Sequence, residues 1–497
     1  MQVGPDREIE ALVGPDTRHI DLGGRRVVPG FADNHTHFIA GGFELAGVQL
    51  RDAATPDEFA RRIEAFAAEH PGEWVTGGTW DHERWGGELP RRDWIDSLTP
   101  DTPVFVTRLD GHMSLANSRA LDLAGVRRET PDPPGGAIVR DARGRPTGIL
   151  KDAAQALVGR VIPAPDQEAS ARALQAAARH ALERGVTLIT DMGSWEGLET
   201  YRAALARDAL PLRVYAAVPL ASWERMAAYV AEHGRGDDRL FWGAVKGFVD
   251  GSLGSTTAWF YEPYADEPQT SGFMVVADSV TLHQQIVSAD SAGLHVMVHA
   301  IGDRANDWLL DVYADAIARN GVRDRRFRIE HAQHLTPGAI ERFPSLGVIA
   351  SMQPWHAVDD GRWAEKRIGP DRLRTTYAFR SLLDAGAVLT FGSDWTVAPI
   401  DPLLGIYAAV TRRTIDGANP GGWIPEQRIG VAEAVRAYTA ANAFGSFRDD
   451  RAGTLEPGRW GDLVVLSDDI FTIDPIDIEE TRVDLTVVGG AVMFERR

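Results

Sequence analysis

From Val186 onward the chain alternates short apolar runs with stretches of helical period. The runs are LITD at 188–191, LRVYAAV from 212, VKGFV from 245, HVMVH from 295, RFRIEH from 326, VIASMQ from 348 and VLTFG from 388. The VVPGF run ending at Phe31 supplies an eighth. Between them, patterns such as DQEASARALQAAARHALERG and TLHQQIVSADSAG have the apolar spacing of amphipathic helices that end at glycine. Eight strand and helix alternations predict an α/β fold in the form of a closed (β/α)8 barrel rather than an open sheet.

Two segments interrupt the rhythm. The stretch from about 51 to 150, rich in Trp, Pro and Gly, reads as a cap or subdomain inserted after the first barrel strand. Residues 250–276 follow the VKGFV strand and could form a lid over the barrel mouth. The tail alternates apolar and polar residues around Gly489-Gly490, which predicts antiparallel strands and a hairpin. The opening residues have similar short-strand character. The expected organisation is residues 29–441 as barrel, with 1–28 and 442–497 as the two parts of one small β-domain.

A length of 497 residues suits one large domain with additions. The hydrophobic fraction of 44% excludes wholesale disorder. A net charge of −19 repels phosphate backbones and anionic lipid, so nucleic acid and membrane are not expected partners. With no cysteine, disulfides, thiolate ligands and cysteine nucleophiles are excluded. The start MQVGPDREIE lacks a basic and apolar leader, and a cytoplasmic protein is expected. A homo-oligomer is admissible.

Chemistry collects where the apolar runs end. His35, His37, Lys246, His299, His331 and Asp394 each sit where a buried strand emerges, the place where barrel enzymes keep their active sites. In a strand, His35 and His37 project to one side and can chelate one metal, although an isolated HxH more often serves packing. Lys246 lies in an apolar run, where an ammonium is costly to bury. Either a carboxylate pairs with it, or it is a neutral amine that has captured carbon dioxide as a carbamate able to bridge two cations. Imidazoles at His299 and His331 suit zinc and related metals. Asp394 could bind metal and hold the attacking water, or merely cap a helix.

The motifs PGFADNHTHF at 29–38, RLDGHMSLANSRAL at 108–121, VKGFVDGSLGSTTA at 245–258, HAIGDRAND at 299–307, RIEHAQH at 328–334, FGSDWTVAPIDPL at 391–403 and AGTLEPGRWGDLVVL at 452–466 together resemble the amidohydrolase superfamily, in the branch that includes N-substituted formamide deformylases. The resemblance implies a barrel with a β-sandwich built from both chain ends. It implies two divalent metal ions, zinc first among candidates, with His35 and His37 on one, His299 and His331 on the other, N6-carboxylated Lys246 bridging, and Asp394 completing the site. The implied reaction is hydrolysis of an amide-type C–N bond of a small N-acyl or N-formyl compound by metal-activated hydroxide, with Asp394 shuttling the proton. Members of this superfamily generally carry a strand or two ahead of the segment that opens this chain, so an incomplete sandwich or a displaced start is expected. Ester, lactone or carbamate hydrolysis at the same centre is the enzymatic alternative, and a non-catalytic barrel scaffold is a third.

Around this set, His112 in the insertion could donate to an oxyanion or bind substrate, or only pin the insertion. Asp250 and Ser252 are candidate cavity residues, and Asp303 and Arg304 candidates for orienting the ligands. Of the fourteen tryptophans, Trp80, Trp259, Trp355 and Trp395, with Trp85, fall near predicted mouth loops and could shape an acyl pocket. His334 and His356 carry no assigned role.

Overall fold

The computed structural model describes residues 1–276 and 278–496. Eight parallel strands form a nearly closed sheet in sequential order: β1 (Phe31–Thr36), β2 (Val186–Met192), β3 (Arg213–Pro219), β4 (Leu240–Phe248), β5 (His295–Ala300), β6 (Arg328–His331), β7 (Ile349–Met352) and β8 (Val388–Phe391). The seam between β1 and β8 is closed just past the strand ends. There the Asp394 N–H donates to His35 O at 2.7 Å, and the His37 N–H donates to Trp395 O at 2.7 Å. Sequential parallel order with covering helices is the barrel that the alternation predicts.

Seven apolar runs match their barrel strands, but the first is displaced. Val27–Pro29 pairs antiparallel with Leu463–Leu466 in a separate sheet, and β1 begins where that run stops. β1 reads FADNHT, polar because its side chains serve the barrel interior and mouth. The interior floor is apolar, built from Ala32, Leu188, Tyr215, Phe241, Ala244 and Met297 among others. Above it lies a polar layer in which Arg328 donates to Asn34 O (2.6 Å), Ser351 Oγ (2.9 Å) and Glu330 (3.0 Å). Outside, helices bury their apolar stripes against the strands. Gln167–Leu182 is typical: Asp166 caps it through Ala169 N–H at 2.7 Å, and its Leu174, Ala177, Ala178 and Ala181 are buried.

Both chain ends meet in one four-stranded antiparallel sheet, Val27–Pro29 with Leu463–Leu466, Val483–Val488 and Ala491–Glu495. The expected sandwich is therefore a single layer among the described residues. Residues 1–26 contribute no strand; Ile20 and Leu22 pack on the sheet instead. The region after β1 holds a mixed six-stranded sheet between Val48 and Asp152, with helix Pro56–Glu69 against it. Residues 250–276 are largely irregular; 250–258 are buried, Leu253, Ser255 and Thr257 among them, and most of 261–276 is half-buried or exposed. No helix among the described residues is long and apolar enough to cross a membrane.

Candidate metal centre

His35, His37, Lys246, His299, His331 and Asp394 all line one cleft of about 480 Å3 at the carboxyl ends of the strands. Asp394 stands among them, its Oδ1 3.5 Å from His35 Nε2 and 3.4 Å from His37 Nε2. Its Oδ2 is 3.9 Å from His331 Nδ1. His35 and His331 have ring centroids 4.9 Å apart, and His331 and His299 4.5 Å apart. Lys246 Nζ reaches His35 Nε2 at 3.2 Å.

Local backbone geometry explains two of these positions. Arg328 and Glu330 point into the barrel, so regular alternation along β6 would send His331 outward. At His331, however, φ is +77°. This break from the extended backbone turns the ring into the cleft. Asp394 also has a left-handed backbone, with φ +57°. Such conformations cost about 1–3 kcal/mol for a residue with a Cβ, and they collect at functional sites. Here the seam hydrogen bond to His35 O holds the Asp394 turn.

Each buried histidine has one nitrogen committed. His35 Nδ1 donates to Glu330 Oε2 at 2.6 Å, His331 Nδ1 to Gln353 Oε1 at 2.8 Å, and His299 Nε2 to Gly251 O at 3.0 Å. Because these partners are acceptors, the tautomers are assigned, and the other ring nitrogen keeps a lone pair. That is the arrangement metal-binding imidazoles require.

Electrostatics keep the set ready for a cation. Burial lowers His35 to about 4, with Lys246 adding to the shift, and burial drives His331 well below the usual histidine range. Both are neutral at pH 7. Burial also lowers Lys246 to about 8, against the opposing pull of Glu330 and Asp394, which brings its neutral amine within reach near physiological pH. Burial resists ionisation of Asp394, yet His35, His37 and His331 hold it well below the carboxylate range. Asp394 Oδ1 is shielded from solvent and has no hydrogen-bond partner. A shielded carboxylate oxygen among imidazole lone pairs fits divalent cations.

Residues 18–494 match the amidohydrolase family. The chain belongs to that family. It is 41% identical to Protein LONG AFTER FAR-RED 3 of Arabidopsis thaliana, over 99% of this chain and 86% of that protein. It is 30% identical to N-substituted formamide deformylase of Arthrobacter pascens, over 99% and 93%. The crystal structure of an uncharacterized metal-dependent hydrolase from Pyrococcus horikoshii OT3 superposes with a TM-score of 0.76 at 30% identity, covering 94% of this chain and 91% of that one. The protein is thus a metal-dependent hydrolase of the amidohydrolase family.

Around this amidohydrolase cleft the structure sorts the remaining candidates. His112 lines the cleft, with its Nδ1 2.6 Å from Asp152 Oδ1 and its ring centroid 5.1 Å from that of His299. Burial opposes its protonation, but Asp152 outweighs burial and raises His112 above the ordinary histidine value. Ser252 lines the adjoining pocket and donates to Asp110 Oδ2. Asp250 does not face a ligand space. Its carboxylate accepts from the N–H groups of Trp259 (2.7 Å), Gly302 (2.8 Å) and Ile301 (3.0 Å), anchoring the 250–276 segment beside His299.

Asp303 accepts from the Tyr261 N–H at 3.0 Å, and the exposed Arg304 stacks over Trp259 at 4.4 Å; neither touches a candidate ligand. They fasten the same segment instead of orienting histidines. The tryptophan expectation also fails at the cleft. Trp80 is fully buried in the insertion core, donating to Val106 O. Trp395 stacks on His180 at the barrel seam. Trp259 lies under Arg304, and Trp355 belongs to helix Pro354–Asp360. None of the four lines either pocket. Large aromatic area is worth most in packing, and these four obey that rule.

Sequence reasoning missed Glu330, Asp152, Gln353, Trp363 and His356. Trp363 and His356 line the inner pocket with Asp359 and Asp360. His356 Nε2 is shielded and unpartnered, and one of its ring nitrogens lies within 4.8 Å of donor atoms on His331 and Asp394. The alternation R-x-E in β6 was a readable sign for Glu330, but nothing local marks His356.

Proposed function

We propose that this amidohydrolase cleaves an amide-type C–N bond of a small N-acyl or N-formyl compound, using two divalent cations, zinc foremost, and carbon dioxide held as a carbamate on Lys246. The observation that carries the reading is the convergence of four imidazoles, a depressed lysine and an ionised aspartate in one cleft, with His112, whose protonation Asp152 favours, on its roof. The similarity to a formamide deformylase supports the bond type. When bound, the cations supply Lewis-acid polarisation of the carbonyl and lower the pKa of water from 15.7 toward about 7.

The chain's own residues do the rest. His35 and His37 with Asp394 would hold one cation, His299 and His331 the other, and carboxylated Lys246 would lie between them. Glu330, fixed by Arg328 at 2.8 Å, keeps His35 in the tautomer whose Nε2 faces the cleft. Asp394 takes the proton of the attacking water and returns it to the leaving amine. His112, whose protonation Asp152 favours, donates to the oxyanion as it develops.

The test is a set of matched N-formyl and N-acetyl amines and the corresponding esters, assayed with chelated protein, zinc-reconstituted protein and Lys246→Ala. Amide turnover that requires metal and is lost in Lys246→Ala is the expected result. Full turnover by metal-free Lys246→Ala would refute the proposal, and turnover of esters alone would move the activity to the alternative bond type.

A further inference from the structure

The amino ends of β3, β4 and β5, opposite the catalytic cleft, surround a second cavity of about 250 Å3. The amino-terminal face of such a barrel ordinarily serves stability, and its charged groups pair with one another. Here the pairing is incomplete. Arg235, Arg323, Arg325 and Arg448 line the cavity, against one lining carboxylate among the described residues, Asp324. In a chain of net charge −19 that is a local reversal of sign.

Following each charge to its partner isolates two cations. Asp290 accepts from Arg325 Nε at 3.0 Å, from Asn320 at 2.8 Å and from Arg323, so one carboxylate serves two guanidinium groups. Asp324 is taken by Arg326 at 2.9 Å. Arg235 donates only to Gly293 O (2.7 Å) and Arg448 only to Phe447 O (2.9 Å), both neutral carbonyls. Neither has a carboxylate partner among the described residues. In addition, Arg448 Nε and Arg323 Nε are shielded from water and have no hydrogen-bond acceptor. An anion entering the cavity would pair, through charge-assisted bonds, with the guanidinium groups that lack a carboxylate partner.

The walls specify the rest of the ligand. Phe241 carries the Arg448 guanidinium 4.0 Å above its ring and stacks on Tyr215 at 4.8 Å; Trp242 and Leu294 complete an apolar side. The Tyr215 hydroxyl donates to His295 Nδ1 at 3.0 Å, and His295 Nε2 donates to Arg326 O at 2.7 Å. Those polar groups are already satisfied and add no competing demand.

We infer that this floor cavity binds a small aromatic anion, its carboxylate or phosphate held by Arg235 and Arg448 and its ring against the apolar side that Phe241, Trp242 and Leu294 form. Planar guanidinium forks match both anion types, and the apolar side gives preference over inorganic ions. The site is separate from the hydrolytic cleft, because the apolar layer of Ala32, Leu188, Ala244 and Met297 lies between them.

The experiment is calorimetric titration of the metal-loaded full chain with benzoate, phenyl phosphate and inorganic phosphate, repeated after chelation and with Arg448→Met and Arg235→Met. The methionines keep the apolar stems and remove the charge. One aromatic-anion site that survives chelation, weakens at least tenfold in each variant, and prefers phenyl phosphate to phosphate is expected, the acids' relative affinities telling carboxylate from phosphate. Binding lost on chelation but unchanged in the variants would place the ligand at the catalytic metals and overturn the inference. So would phosphate binding as tightly as phenyl phosphate, or no binding at all. A crystal of the unaltered protein soaked in 4-bromobenzoate gives a readout that does not depend on the variants folding: bromine must appear beside Arg448, and bromine in the cleft alone would sink the inference.

Discussion

His112 and Asp152 act as a unit through a 2.6 Å contact, so their variants should behave alike. We expect His112→Asn and Asp152→Asn each to lower kcat by about 100-fold, the scale of one oxyanion donor, with KM little changed. In steady-state assays, a loss confined to KM would reduce the pair to substrate binding. His356 makes a different prediction. Its Nε2 is shielded and unpartnered, and one of its ring nitrogens lies within 4.8 Å of ligand atoms on His331 and Asp394. His356→Phe should lower kcat/KM at least tenfold while leaving bound metal, measured by elemental analysis, within error of the parent. The sequence exposed the six candidate ligands because each closes an apolar run. It hid His356 because that residue opens a helix, where nothing in spacing distinguishes a cavity residue from a surface one.

At the level of elements, the insertion and the 250–276 segment form the roof of the cleft, and they are fastened in several places. Lys151 Nζ donates to Ser255 O at 2.7 Å, and Asp250 binds three backbone N–H groups. The tightest point is Gly302, where an added Cβ would lie 2.1 Å from Trp259 O. Gly302→Ala must push that strand of backbone away from His299, so we expect a thermal midpoint several degrees lower and a clear fall in activity. A midpoint unchanged within a degree would mean the segment shifts freely. The barrel strands were legible because buried parallel strands are continuous apolar runs. β1 was misplaced by the same rule, its polar residues being those that serve the interior. The insertion's six strands stayed hidden behind glycine and tryptophan, since they form a mixed sheet in which local hairpins alternate with pairings about thirty residues apart.

For the molecule as a whole, removing metal should abolish activity and leave the fold. The barrel core is a continuous apolar cluster of strand and helix side chains, and the candidate ligands line the cleft outside it, so chelation is expected to preserve the far-ultraviolet dichroism. Collapse of that spectrum would make the cations structural. Stability should also depend on pH through buried neutral histidines. Burial lowers His82, His295 and His334 to about 3. With folded values depressed below about 6.5, each contributes stability that is present above pH 6.5 and lost as pH falls toward 3. Asp33 and Asp360, raised by burial to about 7, act in the opposite sense, their contribution being full below about pH 4 and lost as pH rises through 7. A difference measurement separates them: the stability gap between the parent and His334→Gln, read from urea midpoints, should narrow from pH 7 to pH 4. A constant gap would deny His334 its buried neutral state.

The sequence by itself determined the barrel rhythm, the order of its strands and the six strand-end residues, because burial on both faces of a parallel strand and emergence at its end leave a local pattern. That the terminal sheet is a single layer, how the roof is fastened, the pairing of His112 with Asp152, the placing of His356 and the arginine floor were decided only in the folded chain. Each depends on groups from separate elements meeting at a few ångströms, or on a single left-handed residue redirecting a side chain, and no periodicity records either event.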